Sequence, residues 1–187
     1  MTALSARSPI QSAATKTMKR ILIFGNSGSG KSTLAKALGE LPGMMYLDLD
    51  TVAWKPDQPG VREDEAVSKE TLDTFAGSSE NWVAEGCYSG LVSYLVPMAT
   101  EMVFLNPGVK VCVENCRARP WEAHKYASKE EQDKNLEMLI DWVRDYEVRT
   151  DEFSLAAHRS LFDSFEGKKH ELRSNNEAEA FRRKTTS

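Results

Sequence analysis

The sequence predicts an α/β fold in which helices cover both faces of a parallel sheet. From residue 19 onward, short apolar runs typical of strands alternate with longer segments typical of helices, and this alternation favours a parallel sheet. The chain has 187 residues, of which 41% are hydrophobic and 28% are charged. These proportions are those of a globular protein, and the length suits one domain. We therefore expect a single domain over residues 18–187.

The predicted elements follow one another in a regular order. Strands are predicted at 21–24, 45–49, 82–84, 102–105 and 168–173, and helices at 31–40, 62–80, 109–118, 154–165 and from 176 onward. Apolar residues at 136, 139, 140 and 143 recur at helical spacing and indicate one more helix with a core-facing stripe. The segment at about 119–130, between the helix predicted at 109–118 and this apolar stripe, is irregular, and we expect it to form a small lid.

The first 17 residues differ in composition from the rest of the chain. They are rich in Ser, Thr and Ala, and they show no periodic apolar face. We expect residues 1–17 to be a disordered extension. Because Arg7 and Lys16 are basic and no acidic residue occurs before Glu40, a targeting segment is the alternative.

Composition also excludes several classes of protein. The net charge is −4 and the isoelectric point is about 5.5, values that argue against a dedicated nucleic-acid binder. No apolar run reaches the roughly 18 residues of a membrane span. Three cysteines do not make a disulfide framework and suit a reducing compartment. We expect a cytoplasmic protein without a nucleic-acid or membrane partner, and no feature indicates its oligomeric state.

One motif carries specific chemistry. The run Gly-Asn-Ser-Gly-Ser-Gly-Lys-Ser at 25–32 matches G-x-x-x-x-G-K-[ST] between a predicted strand and a predicted helix. Its glycines let backbone N–H groups point at phosphate oxygens, and the helix N-terminus adds partial positive charge. Lys31 is expected to reach the β- and γ-phosphates and to act in catalysis, and Ser32 to ligate Mg²⁺. The residues predicted to bind ATP are Gly25, Asn26, Ser27, Gly28, Ser29, Gly30, Lys31, Ser32 and Thr33.

Acidic residues are expected at the same edge of the sheet, where ligands of parallel sheets bind. Asp48 and Asp50 end the second predicted strand, and a period of two places both on one side. The fourth strand ends in Asn106, which carries no charge for a metal. We therefore assign Asp48 to the outer shell of Mg²⁺ and Asp50 to the acceptor hydroxyl, whose proton it could accept. Two solvated loop acids are the alternative.

Other residues near this edge are weaker candidates. Glu85 could bind a substrate that Gly86 lets approach closely, although a simple turn is the alternative, and Trp54 could form a wall of the pocket or close the core. Arg117 and Arg119 flank the predicted lid, where a cation could stabilise the moving phosphoryl group. Surface arginines are the alternative for both.

Several segments together resemble a known family. They are residues 18–25 with the phosphate-binding loop, 49–56, 82–89, 103–105, 142–149 and 170–175. Over about 18–183 the chain resembles the adenylate-kinase-like, or DNA topology modulation (FlaR-related), family of small P-loop kinases, which are similar to adenylate, shikimate and gluconate kinases. The lid segment and Glu85 depart from the family pattern. The resemblance also implies that Tyr88 and Arg149 contact the acceptor.

The resemblance implies a specific architecture and activity. It implies a three-layer P-loop NTPase fold with a five-stranded parallel sheet in the order 2-3-1-4-5, with ATP and Mg²⁺ at the phosphate-binding loop. The leading hypothesis is a Mg-ATP-dependent phosphotransferase that acts on a small acceptor. A nucleotide-binding regulatory protein and a simple NTPase are the alternatives. Nothing in the sequence identifies the acceptor or the preferred nucleobase.

Overall fold

A computed structural model describes residues 18–58, 60–121 and 127–186 of the chain. Its strands are β1 (Arg20–Gly25), β2 (Met45–Asp48), β3 (Trp82–Gly86), β4 (Glu101–Leu105) and β5 (Lys168–Leu172). Its α-helices are α1 (Lys31–Gly39), α2 (Asp50–Ala53), α3 (Glu65–Ser78), α4 (Ser89–Leu95), α5 (Val109–Arg117), α6 (Lys129–Lys134), α7 (Leu136–Arg144), α8 (Leu155–Ser164) and α9 (Asn175–Thr186). Short 3₁₀ turns cover Val96–Met98 and Asp145–Glu147.

The five strands form one parallel sheet in the order β2-β3-β1-β4-β5, as predicted. Strand β1 lies in the centre, and its residues from Ile21 to Phe24 are completely buried. A strand that is covered on both faces has no reason to alternate apolar and polar residues. This explains why β1 reads as a continuous apolar run.

Helices pack on both faces of the sheet. On one face, Ile21 and Ile23 of β1 pack with Leu34 and Leu38 of α1, and α9 adds Phe181. On the other face, Leu22 and Phe24 pack with apolar side chains of α3, α4 and α8. The three layers predicted from the alternating pattern are therefore confirmed.

A smaller cluster joins α5 to α7 beside the sheet. Ile140 and Val143 of α7 are completely buried against Cys112 and Cys116 of α5, so the predicted apolar stripe does face a core. The helix α7 follows the predicted lid segment in the chain, with α6 between them. Residues 122–126 of that segment, like residues 1–17, lie outside the described residues.

Two local features differ from the expected pattern. Strand β2 ends at Asp48, and the chain turns into the four-residue helix α2 at Asp50. The prediction that one strand carries both aspartates was therefore wrong. The edge strand β5 forms despite its low apolar content, because it pairs along its length with β4.

Within the described residues, no helix has both the length and the apolar character that a membrane span requires.

Candidate active site

A cleft of about 700 Å³ opens at the carboxyl edge of the sheet. Its walls come from the phosphate-binding loop and α1, from β3 and the turn that follows it, from 118–121 after α5, and from the first turns of α9. Ligands of open parallel sheets bind at this edge. Residues 27–32 of the motif that predicted a nucleotide site thus line this cleft.

The phosphate-binding loop connects β1 to α1 with glycines in left-handed conformations. Gly28 has φ +75°, and a Cβ atom there would lie 2.3 Å from the carbonyl oxygen of Cys112. Gly30 caps α1 with φ +94°, and the nearest atom to a Cβ there would be 3.9 Å away. Such conformations favour glycine, so the sequence of the loop is dictated by its backbone path.

Polar side chains complete the loop from the inside. Lys31 is buried, and its Nζ donates a hydrogen bond of 2.9 Å to the carbonyl of Asn26. The Asn26 amide donates to the carbonyl of Val143 in α7, 3.0 Å away. Across the parts of the chain that the structure describes, the buried Ser29 hydroxyl has no hydrogen-bond partner. Buried hydroxyls are rarely left unpaired, and this one lies in the loop that would surround a phosphate.

Three carboxylates meet beside Lys31 and Ser32. Asp48 pairs in register with Glu85 on β3, and the backbone N–H of Asp50 donates to Asp48 Oδ1 at 2.9 Å. Asp48 and Asp50 therefore come together through a turn rather than through strand periodicity. Of the three, Asp50 and Glu85 line the cleft itself.

Glu85 is the most buried of these acids, with 2% of its surface exposed. Burial raises the pKa of Glu85, while the nearby charge of Lys31 and a hydrogen bond with the Ser32 side chain act in the opposite direction. The Tyr46 hydroxyl also donates to Glu85 Oε1 at 3.3 Å. Glu85 thus lines the cleft and is also hydrogen-bonded to Ser32, the residue expected to ligate Mg²⁺.

Gly86 has a packing role in addition to its place in the cleft wall. A Cβ atom at Gly86 would lie 2.8 Å from the Cβ of Leu49, which is completely buried. The packing of Leu49 against the backbone of Gly86 therefore requires glycine at this position, whether or not a substrate also approaches it.

The structure distinguishes the two lid arginines. Arg119 lines the cleft, whereas Arg117 is an exposed residue in the last turn of α5. Helix α5 ends at Arg117, and the chain then bends so that Arg119 lies in the wall of the cleft. Of these two arginines, Arg119 is the one placed where a cation could reach a phosphate bound in the cleft.

The remaining predicted residues lie behind Asp50. Trp54 and Tyr88 form a hydrogen-bonded pair that ends at Asp50. Arg149 packs on the rings of Trp142 and Phe153, at 4.3 and 5.4 Å from their centroids. It pairs with Asp151 at 2.7 Å, and no described residue bonds its buried Nε and Nη1 atoms. The structure therefore connects Arg149 to the site only through aromatic rings.

Several residues of the site carried no signal in the sequence. Asn115 of α5 donates to the carbonyl of Gly28 at 2.8 Å and pairs with Asn175 at the start of α9. Arg182 of α9 lines the cleft and pairs with Glu179 at 2.7 Å. The contacts of Asn115 join segments that are 60 or more residues apart. The place of Arg182 depends on which face of α9 is turned toward the cleft. A pattern among neighbouring residues predicts neither the contacts nor this orientation.

A buried histidine supports the turn after β3. His158 is completely buried, its Nδ1 lies 2.8 Å from the Tyr146 hydroxyl, and its Nε2 lies 2.9 Å from the carbonyl of Cys87. Burial lowers the pKa of His158 to about 4, so the ring is neutral at pH 7. A carbonyl can only accept, so Nε2 carries the proton and Nδ1 accepts from Tyr146.

Comparison with solved structures identifies the fold. A gluconokinase from Sinorhizobium meliloti 1021 matches with a TM-score of 0.50 and 16% identity, covering 90% of this chain and 94% of that chain. A shikimate kinase from Bacteroides thetaiotaomicron gives 0.49 and 17%, covering 90% and 96%. A sugar kinase from Janibacter sp. HTCC2649 gives 0.47 and 13%, covering 90% and 92%.

No family model and no curated protein sequence matches the chain. The class that the fold and the gluconokinase likeness define is the P-loop kinase fold, with five parallel strands in the order 2-3-1-4-5. At such low identity the likeness concerns the fold alone. The narrower resemblance to the DNA topology modulation family stays a prediction from the sequence.

Proposed function

We propose that the protein is a Mg-ATP-dependent phosphotransferase that moves the γ-phosphoryl group to a small acceptor. The observation that supports it most is the shared cleft: Lys31 and Ser32 of the phosphate-binding loop line the same cavity as Asp50 and Glu85. In this proposal the site for the phosphates and the site for the acceptor hydroxyl are adjacent. Phosphoryl transfer depends mainly on such positioning and on charge stabilisation.

ATP would bind through the phosphate-binding loop. The backbone N–H groups of 25–33 and the N-terminus of α1 suit the phosphate oxygens, and the unpaired Ser29 hydroxyl offers one more donor. Lys31 Nζ now bonds to the Asn26 carbonyl, and it would exchange this partner for phosphate oxygens. Arg119, which lines the same cleft, would stabilise charge on the transferred group.

Magnesium prefers oxygen ligands, and the hydrogen bond between Ser32 and Glu85 brings a hydroxyl and a carboxylate together beside the loop. Ser32 would ligate Mg²⁺ directly, with Asp48 and Glu85 in the outer shell. In 18–58, 60–121 and 127–186, no group of three His, Cys, Asp or Glu side chains is arranged to hold a metal alone, so water and phosphate oxygens would complete the coordination. The metal would supply positive charge next to the phosphates.

Asp50 would orient the acceptor hydroxyl and accept its proton. It lines the cleft next to Glu85 and Gly86, which would also contact the acceptor. Trp54, Tyr88 and Arg149 would shape the acceptor side from behind. The segment 119–130 would act as a lid that excludes water, so that the acceptor rather than water receives the phosphoryl group.

Two alternatives predict different measurements. A simple NTPase would form ADP without an acceptor, and a regulatory protein that contacts DNA would bind DNA in a gel shift. The net charge of −4 disfavours binding to phosphate backbones. Purified protein would be assayed for ADP formation with and without a panel of nucleoside monophosphates, sugars and hydroxy acids, with a gel shift in parallel.

We expect one class of acceptor to raise ADP formation at least tenfold over the acceptor-free rate, without DNA binding. Lys31→Ala is the negative control for any contaminating kinase. Equal ADP formation with every acceptor would favour the simple NTPase. DNA binding without acceptor-dependent turnover would favour the regulatory protein.

A further inference from the structure

The carboxylate of Asp50 is the end of a hydrogen-bond series that includes two aromatic side chains. Trp54 Nε1 lies 2.6 Å from the Tyr88 hydroxyl, and this hydroxyl lies 2.7 Å from Asp50 Oδ1. Tyr88 is 34 residues from Trp54 and 38 residues from Asp50. Asp50 lines the cleft, and Tyr88 behind it is only 3% exposed.

The chemistry of the groups fixes the direction of the series. An indole N–H can only donate, so the Tyr88 oxygen accepts from Trp54, and its single proton must go to the carboxylate. Burial and the charge of Asp50 both raise the pKa of Tyr88 above its ordinary value, so the hydroxyl keeps that proton. The Tyr88 hydroxyl therefore has one donor and one acceptor as neighbours, and its hydrogen bonds are used within the protein.

A cation lies over both rings of the series. The Arg62 guanidinium carbon is 5.2 Å from the Trp54 ring centroid and 4.9 Å from the Tyr88 ring centroid. Arg62 is itself held by Glu152 at 3.0 Å. Cation–π contact stabilises this stack. The two rings meet edge to face, with centroids 6.3 Å apart. The Arg62 guanidinium therefore holds Trp54 and Tyr88 in addition to the hydrogen bond between them.

We propose that Tyr88 is a positioning residue that holds the carboxylate of Asp50 toward the acceptor hydroxyl, and that Trp54 and Arg62 hold Tyr88 in place. This inference rests on the proposed phosphotransferase activity. Asp50 is the first residue of a four-residue helix, a short element that restrains a side chain weakly. A misaligned base loses much of its effect, so a bond to one carboxylate oxygen is a direct means of alignment.

The kinetic test uses Tyr88→Phe, which keeps the ring against Trp54 and Phe153 and removes only the hydroxyl. With the acceptor that the panel identifies, we expect kcat to fall about tenfold, as for loss of one hydrogen bond to a charged group, while the KM for ATP changes less than twofold. Because Tyr88 acts through Asp50, the same change should have less than a twofold effect in an Asp50→Asn background.

The matched control is Tyr94→Phe. Tyr94 also donates to a carboxylate, that of Asp73 at 2.8 Å, but it is a half-buried residue of α4 that does not line the cleft. We expect wild-type kcat for this variant. Full kcat in Tyr88→Phe, or an equal loss with and without the Asp50 carboxylate, would overturn the positioning role while leaving the phosphotransferase proposal intact.

A second readout does not depend on activity. The chain has four tryptophans, and Trp54→Phe assigns the indole N–H signal of Trp54 in a ¹⁵N spectrum. We expect that signal to shift in Tyr88→Phe and, to a smaller extent, in Asp50→Asn, but not in Tyr94→Phe. An unmoved signal in Tyr88→Phe would overturn the series. If the signal moves but no acceptor supports turnover in the wild type, the proposed function fails, and with it the role of Tyr88 in transfer.

Discussion

The two sides of the cleft are built in different ways. The phosphate side comes from nine consecutive residues, 25–33, between β1 and α1. The acceptor side is assembled from separate segments that supply Asp50, Trp54, Arg62 and Tyr88. On the first side the chain places backbone N–H groups, and on the second it places side chains that hold one another.

This difference implies two kinds of sensitivity to mutation. The phosphate side depends on a backbone path, and its charged residue, Lys31, would act on the phosphates that any nucleoside triphosphate carries. The acceptor side depends on side-chain contacts between distant segments, so its changes should affect the acceptor more than ATP.

The largest effect is expected on the phosphate side. Lys31→Ala should lower kcat by about 10²–10³-fold, because the lysine stabilises charge that develops during transfer. Steady-state ADP formation measures this, with Lys110→Ala on the exposed surface of α5 as the matched control. Retained turnover in a folded Lys31→Ala protein would exclude the phosphate-binding loop as the catalytic centre.

The two aspartates should separate metal from acceptor. Asp48→Asn should raise the Mg²⁺ concentration for half-maximal rate about tenfold, as loss of an outer-shell partner does. Asp50→Asn should lower kcat/KM for the acceptor about 10²-fold and leave the Mg²⁺ requirement unchanged. Separate titrations of Mg²⁺ and of the acceptor measure these two effects. A changed Mg²⁺ requirement in Asp50→Asn together with a lower kcat/KM for the acceptor in Asp48→Asn would show that the two roles are the other way round.

The two arginines at the lid should also differ. Arg119→Ala should lower kcat about tenfold more than Arg117→Ala, since only Arg119 lines the cleft, and should weaken ATP binding less than it lowers kcat. Kinetics and nucleotide titration on both variants check this. Indistinguishable variants would show that Arg119 does not reach the transferred group.

The smallest effect concerns the scaffold at the end of β4. Glu171 on β5 accepts from Arg159 at 2.6 Å and from Asn106 at 3.1 Å, and the bond from Arg159 is the main reason that its pKa falls to about 2. The charged form is favoured in the folded state, so this stabilisation is present above pH 4.5 and is lost as the pH falls toward 2.

Glu171→Gln should therefore lower the free energy of unfolding at pH 7 by on the order of 1–2 kcal/mol, after allowing for solvent screening of the partly exposed Arg159. The difference from wild type should shrink as the pH falls from 4.5 to 2. Urea unfolding at several pH values measures this, and Glu166→Gln, at an exposed position, is the control. A pH-independent difference would assign the effect to packing.

These predictions also show where sequence reasoning succeeds. The phosphate-binding loop and the buried strands β1, β3 and β4 could be predicted because each is encoded by neighbouring residues: glycine spacing for the loop, and apolar runs for the strands. The place of Asp50 could be predicted only roughly, because the turn into α2 depends on how Leu49 packs against Gly86. The partners of Tyr88 and Asn115 could not be predicted, since they are distant in sequence and carry no local pattern.

The central claim is that both sides of the cleft form one transfer site. The most direct measurement follows labelled γ-phosphate from ATP in wild-type protein and in Asp50→Asn, with chromatographic separation of phosphorylated acceptor from inorganic phosphate. The account predicts that label moves to the acceptor in equal amount to ADP in the wild type, and that Asp50→Asn still binds ATP but transfers about 10²-fold more slowly. Label released only as inorganic phosphate by both proteins would contradict it.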